Sequence, residues 1–235
     1  MTGAEGENGM EFMDAKKELR QRMLKVRAQI PEGSRLEQSL AAGRIAEREV
    51  LSPLRARRGG KLNLFCYVAF RDEPDTWPLL ANGLAQGDRL LTPRIGPERS
   101  LSLHEISGTE DLVPGTWGIR EPAGHTAVWP PERYPEIDVI VVPGLAFDLN
   151  GGRIGFGAGY YDRLIDELSR LSGGTDQVVL AALVLQELIL PEGAIPMEPH
   201  DFRLDLLLTA KETIYMKESS DKLDNLGIGS RNDAF

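Results

Sequence analysis

The chain has 235 residues, 41% of them hydrophobic, a formal net charge of −9 at pH 7 and one cysteine. That is enough apolar chain for one substantial core, and a single α/β domain is the default expectation. The acidic balance argues against bulk binding of nucleic acid or of anionic membranes, and Cys66 alone excludes an internal disulfide and suits a reducing compartment. No apolar run is long enough for a membrane span, and the acidic opening MTGAEGENGMEFMDA does not have the form of a signal peptide. A soluble, cytoplasmic protein is expected.

Residues 1–12, rich in Gly and Glu, read as a disordered tail. Asp14 is placed to cap a helix running to Gln29, with Leu19, Met23, Val26 and Ile30 as its apolar stripe. At about 100° per residue, Lys16, Arg20 and Arg27 fall together beside that stripe. Pro31 ends this helix, and a second follows from Arg35 to Leu51 with Leu36, Leu40, Ile45 and Val50 on its inner face. Arg55, Arg57, Arg58 and Lys61, around Gly59-Gly60, read as a solvated loop. Leu62 to Val68 is β-rich and holds Cys66, a packed thiol with no histidine nearby in sequence to activate it. Asp75 or Thr76 caps a helix to Gln86; Arg89–Thr92 and Ser100–Glu105 are short strands; Gly124 to Pro135, with three prolines, is a loop. Buried strands are expected at Val139–Val142, Val178–Leu183 and Leu204–Leu208, and residues 217–235 read as a second tail. The structured part is therefore 13–216, a three-layer α/β fold whose mostly parallel central sheet is flanked by helices in the Rossmann-like manner.

The most informative stretch runs from Asp138 to Asp162. A β-branched strand stops at Pro143-Gly144, a loop carries Gly151, Gly152, Gly155, Gly157 and Gly159, and the spacing Tyr161, Leu164, Ile165, Leu168 is helical. Strand, glycine loop and helix in this order suit anion binding, because glycines let backbone N–H groups approach a phosphate and a helix N-terminus favours negative charge. Both common phosphate motifs fail here. Gly152 and Gly157 have P-loop spacing, but Ala158 and Gly159 stand where Lys and Ser/Thr belong; G-x-G-x-x-G fits Gly155 and Gly157 and then meets Tyr160. Composition alone leaves phosphate binding and a plain turn both open.

Read whole, PGLAFD-x-x-G-x-R-I-G-x-G-x-G-YYDR, from Pro143 to Arg163, resembles the central motif of the 5-formyltetrahydrofolate cyclo-ligase (5,10-methenyltetrahydrofolate synthetase) family. The likeness extends over about residues 14–210 and is dense only in this motif. It implies an ATP-dependent ligase that converts 5-formyltetrahydrofolate to 5,10-methenyltetrahydrofolate, with Mg²⁺ and no macromolecular partner, working as a monomer. The family's N-terminal K-x-x-x-R pair matches Lys16 and Arg20, which places ATP against Lys16, Lys17, Glu18, Leu19 and Arg20. The same resemblance puts Arg153, Gly155, Phe156, Gly157, Ala158, Gly159, Tyr160 and Tyr161 at the nucleotide. It puts Val68, Glu73, Trp117, Phe156, Gly157 and Tyr160 at the folate, with Ile119 helping to enclose it. Arg153, Tyr160 and Asp162 carry catalysis.

The chemistry of the side chains agrees. Glu73, in a loop after a strand, can accept two adjacent pterin donors with its two oxygens. His104, His125 and His200 are too far apart for a zinc pattern, whereas magnesium asks only for one or two carboxylates plus phosphates, and Asp162 and Asp201 are the candidates. One departure stands out: many relatives read G-R-G-K-G in the loop, and here Phe156 and Ala158 replace both cations. Two readings therefore remain, an active cyclo-ligase with phosphate neutralised from elsewhere, and a relative that binds a folate or another small ligand without turnover.

Overall fold

The strand Val139–Val141 lies in the middle of the molecule with every side chain buried. Its pleat sends Val139 and Val141 to one face of the sheet and Ile140 with Val142 to the other, and each face has its own apolar layer. Burial on both faces is why the run is continuously apolar rather than alternating. The computed structural model describes residues 4–198 and 201–229.

In chain order the elements are α1 (Ala4–Gln29), α2 (Glu32–Ala46), α3 (Ser52–Arg57), β1 (Asn63–Cys66), α4 (Trp77–Gln86), β2 (Arg89–Ile95), β3 (Leu101–Ile106), β4 (Leu112–Pro114), β5 (Arg120–Pro122) and β6 (Ala127–Trp129). They continue with β7 (Val139–Val141), β8 (Ala146–Asp148), β9 (Arg153–Ile154), α5 (Tyr160–Ser172), β10 (Val179–Leu183), β11 (Ile189–Leu190), β12 (Leu206–Leu208), β13 (Thr213–Tyr215) and α6 (Ser220–Leu226). The main sheet has the order β13-β12-β10-β7-β1-β2-β3-β6. Its inner members β12, β10, β7, β1 and β2 are parallel, and antiparallel strands finish both edges. Leu19 and Met23 of α1 pack with Leu164 and Leu168 of α5 on the Ile140 side; Ala42, Leu54, Leu80 and Leu223 from α2, α3, α4 and α6 cover the Val139 side. The expected three layers are present.

The topology also fixes where a ligand goes. From β1 the chain moves to β2 on one side, and it returns as β7 on the other. That reversal makes the carboxyl ends of β1 and β7 the switch point, where open α/β sheets leave a crevice.

Several expectations change. The first helix begins at Ala4, not Asp14, so residues 4–12 are helical rather than a tail. Leu36 and Leu40 are 44% and 45% exposed, and the inner face of α2 is Ser39, Ala42, Ile45 and Ala46. Small side chains bring the helix close to the sheet, and a π-helical turn over Glu47–Leu51 then shifts the period so that Val50 and Leu51 turn inward. Arg55 is not in a solvated loop: it is buried in α3, with Asp88 and Glu47 as partners. The proline-rich segment 124–135 contains the edge strand β6, and β12 is followed by β13, so it is not the last strand. Beyond 217 the chain folds back as α6, burying Leu223, Leu226 and Ile228 against the Val139 face. Residues 1–3 and 230–235 of the expected tails lie outside the described residues, as do Pro199 and His200.

Candidate active site

The glycine loop is held open from beneath. Asp148, 1% exposed, accepts the N–H groups of Asn150, Gly152 and Ile195 and so fixes the turn between β8 and β9. Gly151 has φ +77°, and a Cβ there would lie 2.5 Å from the Leu204 carbonyl oxygen, so only glycine fits. The loop then runs through Gly157 (φ +91°) to Gly159 (φ +70°), which caps α5 without a side chain and leaves the first amides of the helix open. Arg153 reinforces it from inside, donating to the Pro143 carbonyl at 3.2 Å and to Asp162 Oδ1 at 3.0 Å, with Phe202 4.9 Å from its guanidinium.

The basic stripe of α1 lies across this loop. Arg20 Nε donates to the Gly155 carbonyl at 3.0 Å. Lys16, although only 7% exposed, is held by Glu198 Oε2 at 2.7 Å and Asp201 Oδ2 at 2.6 Å. Lys16, Arg20, Arg153, Asp162, Asp201 and residues 155–161 together line a small pocket of about 120 Å³. Arg163 approaches from the other side, donating to the carbonyls of Ala158 and Arg99.

Directly beside it, at the switch point, opens an apolar cavity of about 690 Å³. Tyr67 and Val68 after β1, Pro143 after β7, Leu24 and Arg27 of α1, and Trp117 and Ile119 of the β4–β5 hairpin form its walls. Trp117 is 69% exposed at the hairpin tip with φ +57°. Among the acids of this cavity, Glu73 is set apart by its environment. Burial pushes its carboxyl up to about 7, against the opposing pull of the Phe70 N–H it accepts at 3.0 Å and of the Arg27 charge. Burial likewise raises the phenols of Tyr67 and Tyr161 well above the ordinary range, and the Glu73 charge adds to it.

The expected residues thus fall into three groups. Lys16, Arg20, Arg153, Gly155, Phe156, Gly157, Ala158, Gly159, Tyr160 and Tyr161 converge on the small pocket with Asp162 and Asp201; Val68, Glu73, Trp117, Phe156 and Tyr160 converge on the large one. Gly157, expected on both sides, borders only the small pocket. Lys17 and Glu18 are exposed and Leu19 is buried in the core, because a helix presents residues three and four apart on one face and not those between. Arg27, which lines the large cavity, is not among the expected site residues, and neither is Arg163, which donates to the Ala158 carbonyl of the loop without lining either pocket. Arg27 already shared the stripe of Lys16 and Arg20, which was the available signal; Arg163 closes the YYDR motif.

Fold and site define an α/β protein with an apolar cavity abutting a pocket of loop glycines and cations, a site for small molecules. The family model of the 5-formyltetrahydrofolate cyclo-ligase family matches residues 12–210. A 5-formyltetrahydrofolate cyclo-ligase from Mycolicibacterium smegmatis is 35% identical over 207 residues, covering 85% of this chain and 96% of its own. The mouse protein of that name is 27% identical over 81% of this chain and 89% of its own. The structure of Aquifex aeolicus 5,10-methenyltetrahydrofolate synthetase superposes with a TM-score of 0.66 at 28% identity, covering 86% of this chain and 93% of the other. The chain belongs to the 5-formyltetrahydrofolate cyclo-ligase family, a family of ligases.

Proposed function

We propose that this protein uses ATP to convert 5-formyltetrahydrofolate to 5,10-methenyltetrahydrofolate, releasing ADP and phosphate. The carrying observation is that the two pockets share walls: Pro143, Phe156, Ala158, Tyr160 and Tyr161 border both. A phosphate at the loop and a folate in the cavity therefore meet without any residue having to carry a group between them. The formyl oxygen attacks the γ-phosphorus and the bond to ADP breaks; N10 then adds to the activated formyl carbon and gives up its proton, and the carbon–oxygen bond breaks as phosphate leaves. Such chemistry needs positioning and charge neutralisation rather than a covalent nucleophile. The one thiol agrees, since Cys66 is buried and its burial holds it protonated.

In this reading Arg20, Lys16, Arg153 and the amides of 155–159 hold the phosphates, with Arg163 beside them. They supply from α1, β9 and α5 the charge that Phe156 and Ala158 do not. Glu73 takes the pterin's paired donors, and Tyr160 flanks the substrate where the pockets join. For Mg²⁺ the residues present fit. Among the described residues no three His, Cys, Asp or Glu converge. Asp162 and Asp201, both in the wall of the small pocket, are the one or two carboxylates that magnesium uses when phosphates and water supply the rest. Asp162 and Asp201 would hold the ion, which supplies charge neutralisation between the phosphates. Among the described residues no helix is long and apolar enough to cross a membrane, and in this reading the protein works as a monomer in the cytoplasm, a reducing compartment that suits its single buried thiol.

The test is spectroscopic: the protein with ATP, Mg²⁺ and 5-formyltetrahydrofolate should generate the methenyl chromophore in step with ADP. Folded protein that binds both substrates and produces no chromophore would mark the non-catalytic relative that the loop's missing cations favour.

A further inference from the structure

Arg27 is 3% exposed in the wall of the large cavity, yet it is only partly satisfied. Nη2 donates to Asp72 Oδ1 at 2.8 Å, while Nε and Nη1 are shut off from water and have no hydrogen-bond partner. Stability alone gives no reason to keep such a group, since unmade hydrogen bonds on a buried cation are costly. One lysine ammonium would satisfy Asp72. The fork implies an acceptor that arrives later.

The surroundings say which acceptor. Asp72 precedes Glu73, and both line the cavity with Arg27. In front of the guanidinium, 5.2 Å from its carbon, lies the ring of Phe156, itself 58% exposed and carried between Gly155 and Gly157. A side chain so placed is free to swing aside and uncover the two nitrogens. Resting on the cyclo-ligase reading of this cavity, we propose that Arg27 reads the 4-oxo group of the pterin. When a carboxylate accepts the 2-amino and N3 donors, the next atom along the ring edge is the C4 oxygen, and a cation flanking that carboxylate is placed to donate to it. C4 is also one ring atom from C4a, which bears the formylated N5. Holding the oxygen therefore fixes how the formyl group points toward the loop. A 2,4-diaminopteridine presents an amino donor at that same position, donor against donor, and also lacks the N3 hydrogen that Glu73 accepts, so it is rejected at both residues. Arg27 is thus a specificity-determining residue.

The experiment is equilibrium titration by calorimetry, with Mg²⁺ and a non-hydrolysable ATP analogue present, of 5-formyltetrahydrofolate and of its 4-amino-4-deoxy counterpart. Wild type should prefer the 4-oxo compound at least tenfold. Arg27→Lys, whose ammonium is committed to Asp72, and Arg27→Met should both lower that preference at least threefold by weakening the 4-oxo compound, the remainder belonging to Glu73, with the thermal midpoint of Arg27→Lys near that of wild type; should Arg27→Met not fold, Arg27→Lys decides. A wild-type preference below threefold, or a folded Arg27→Lys that discriminates as wild type does, overturns the proposal. Wild type that binds no 5-formyltetrahydrofolate at all overturns the cyclo-ligase reading and this inference with it.

Discussion

Two arginines of this chain are buried almost equally, Arg55 at 7% and Arg27 at 3% exposure, on helices that cover opposite faces of the sheet. Arg55 is complete. Its Nε and Nη2 clamp the two oxygens of Asp88 at 2.9 and 2.7 Å, its Nη1 reaches Glu47 at 2.8 Å, and Asp88 also accepts the Leu62 N–H. These bonds tie α3 to the start of β1 and raise the guanidinium's already high pKa further, the Asp88 hydrogen bonds first among the causes. Arg27 has one partner and two idle nitrogens. For these two arginines burial does not separate scaffold from site; satisfaction does. Arg55, whose hydrogen bonds are made, belongs to the fold, and Arg27, left short, faces the cavity where a ligand sits.

The largest effect should come from the complete pair. Asp88→Ala leaves buried Arg55 with Glu47 as its remaining carboxylate and its Nε and the Leu62 N–H without an acceptor, and should cost about 3–5 kcal/mol in denaturant unfolding, with the KM values for both substrates unchanged. A stability loss below 1 kcal/mol would remove the distinction drawn between the two arginines.

On the site side, Glu73 gives a pH signature. Its carboxyl is held up to about 7 in the folded protein by burial, above the 4.5 ordinary for glutamate. Between those values the unfolded chain releases the proton first, so this group's contribution to stability is full below about 4.5, declines as pH rises, and levels off above about 7. Glu73→Gln, which cannot ionise, should therefore gain thermal midpoint relative to wild type at pH 8 compared with pH 5. Substrate affinity should run the other way: only the carboxylate accepts the paired pterin donors, so wild-type affinity rises about tenfold per pH unit below 7 and then flattens, while the variant is weak throughout. A wild-type profile flat from pH 5 to 8 contradicts the assignment.

Smaller effects follow along α1 and the loop. Arg20→Ala removes a half-buried cation whose hydrogen bond is to the Gly155 carbonyl; it should weaken ATP binding about tenfold while costing under about 1 kcal/mol of stability. Lys16→Ala should do both kinds of damage, because Glu198 and Asp201 would lose their shared cation. Ala158→Lys supplies the loop with the charge that the resemblance leads one to expect there and should tighten ATP by up to about tenfold, the gain limited by Arg20 and Arg163 already beside the loop. An unchanged or higher KM for ATP would mean that residue 158 does not face phosphate. Smallest of all, Leu40→Gln on the outward face of α2 should stay within about 0.5 kcal/mol of wild type; a larger loss would return Leu40 to the core.

What the sequence made legible follows from the same physics. β7 could be read because burial on both faces demands an unbroken apolar run, and the loop because glycine at positive φ and at close approach has no substitute. Lys16 and Arg20 were legible as a helical pair through the K-x-x-x-R match. The inner face of α2 was legible only in part: Ile45 and Val50 were read correctly, but alanines and a serine pack against the sheet beside them, and Leu36 and Leu40 attracted attention although they point outward. Not legible was α6, a seven-residue helix with only Leu223 and Leu226 to mark it. The pairing of Arg55 with Asp88 and the incomplete pairing of Arg27 with Asp72 were hidden for a different reason, since both depend on partners 33 and 45 residues away. No local pattern records whether a buried cation will be satisfied.

The central claim is that the formyl oxygen takes the γ-phosphoryl group where the two pockets share a wall. It is tested most directly by following that oxygen. With 5-formyltetrahydrofolate labelled with ¹⁸O in the formyl group, ATP, Mg²⁺ and the protein, one ¹⁸O atom should appear in each inorganic phosphate released. Methenyl product formed with unlabelled phosphate, the label passing to water instead, would contradict the account.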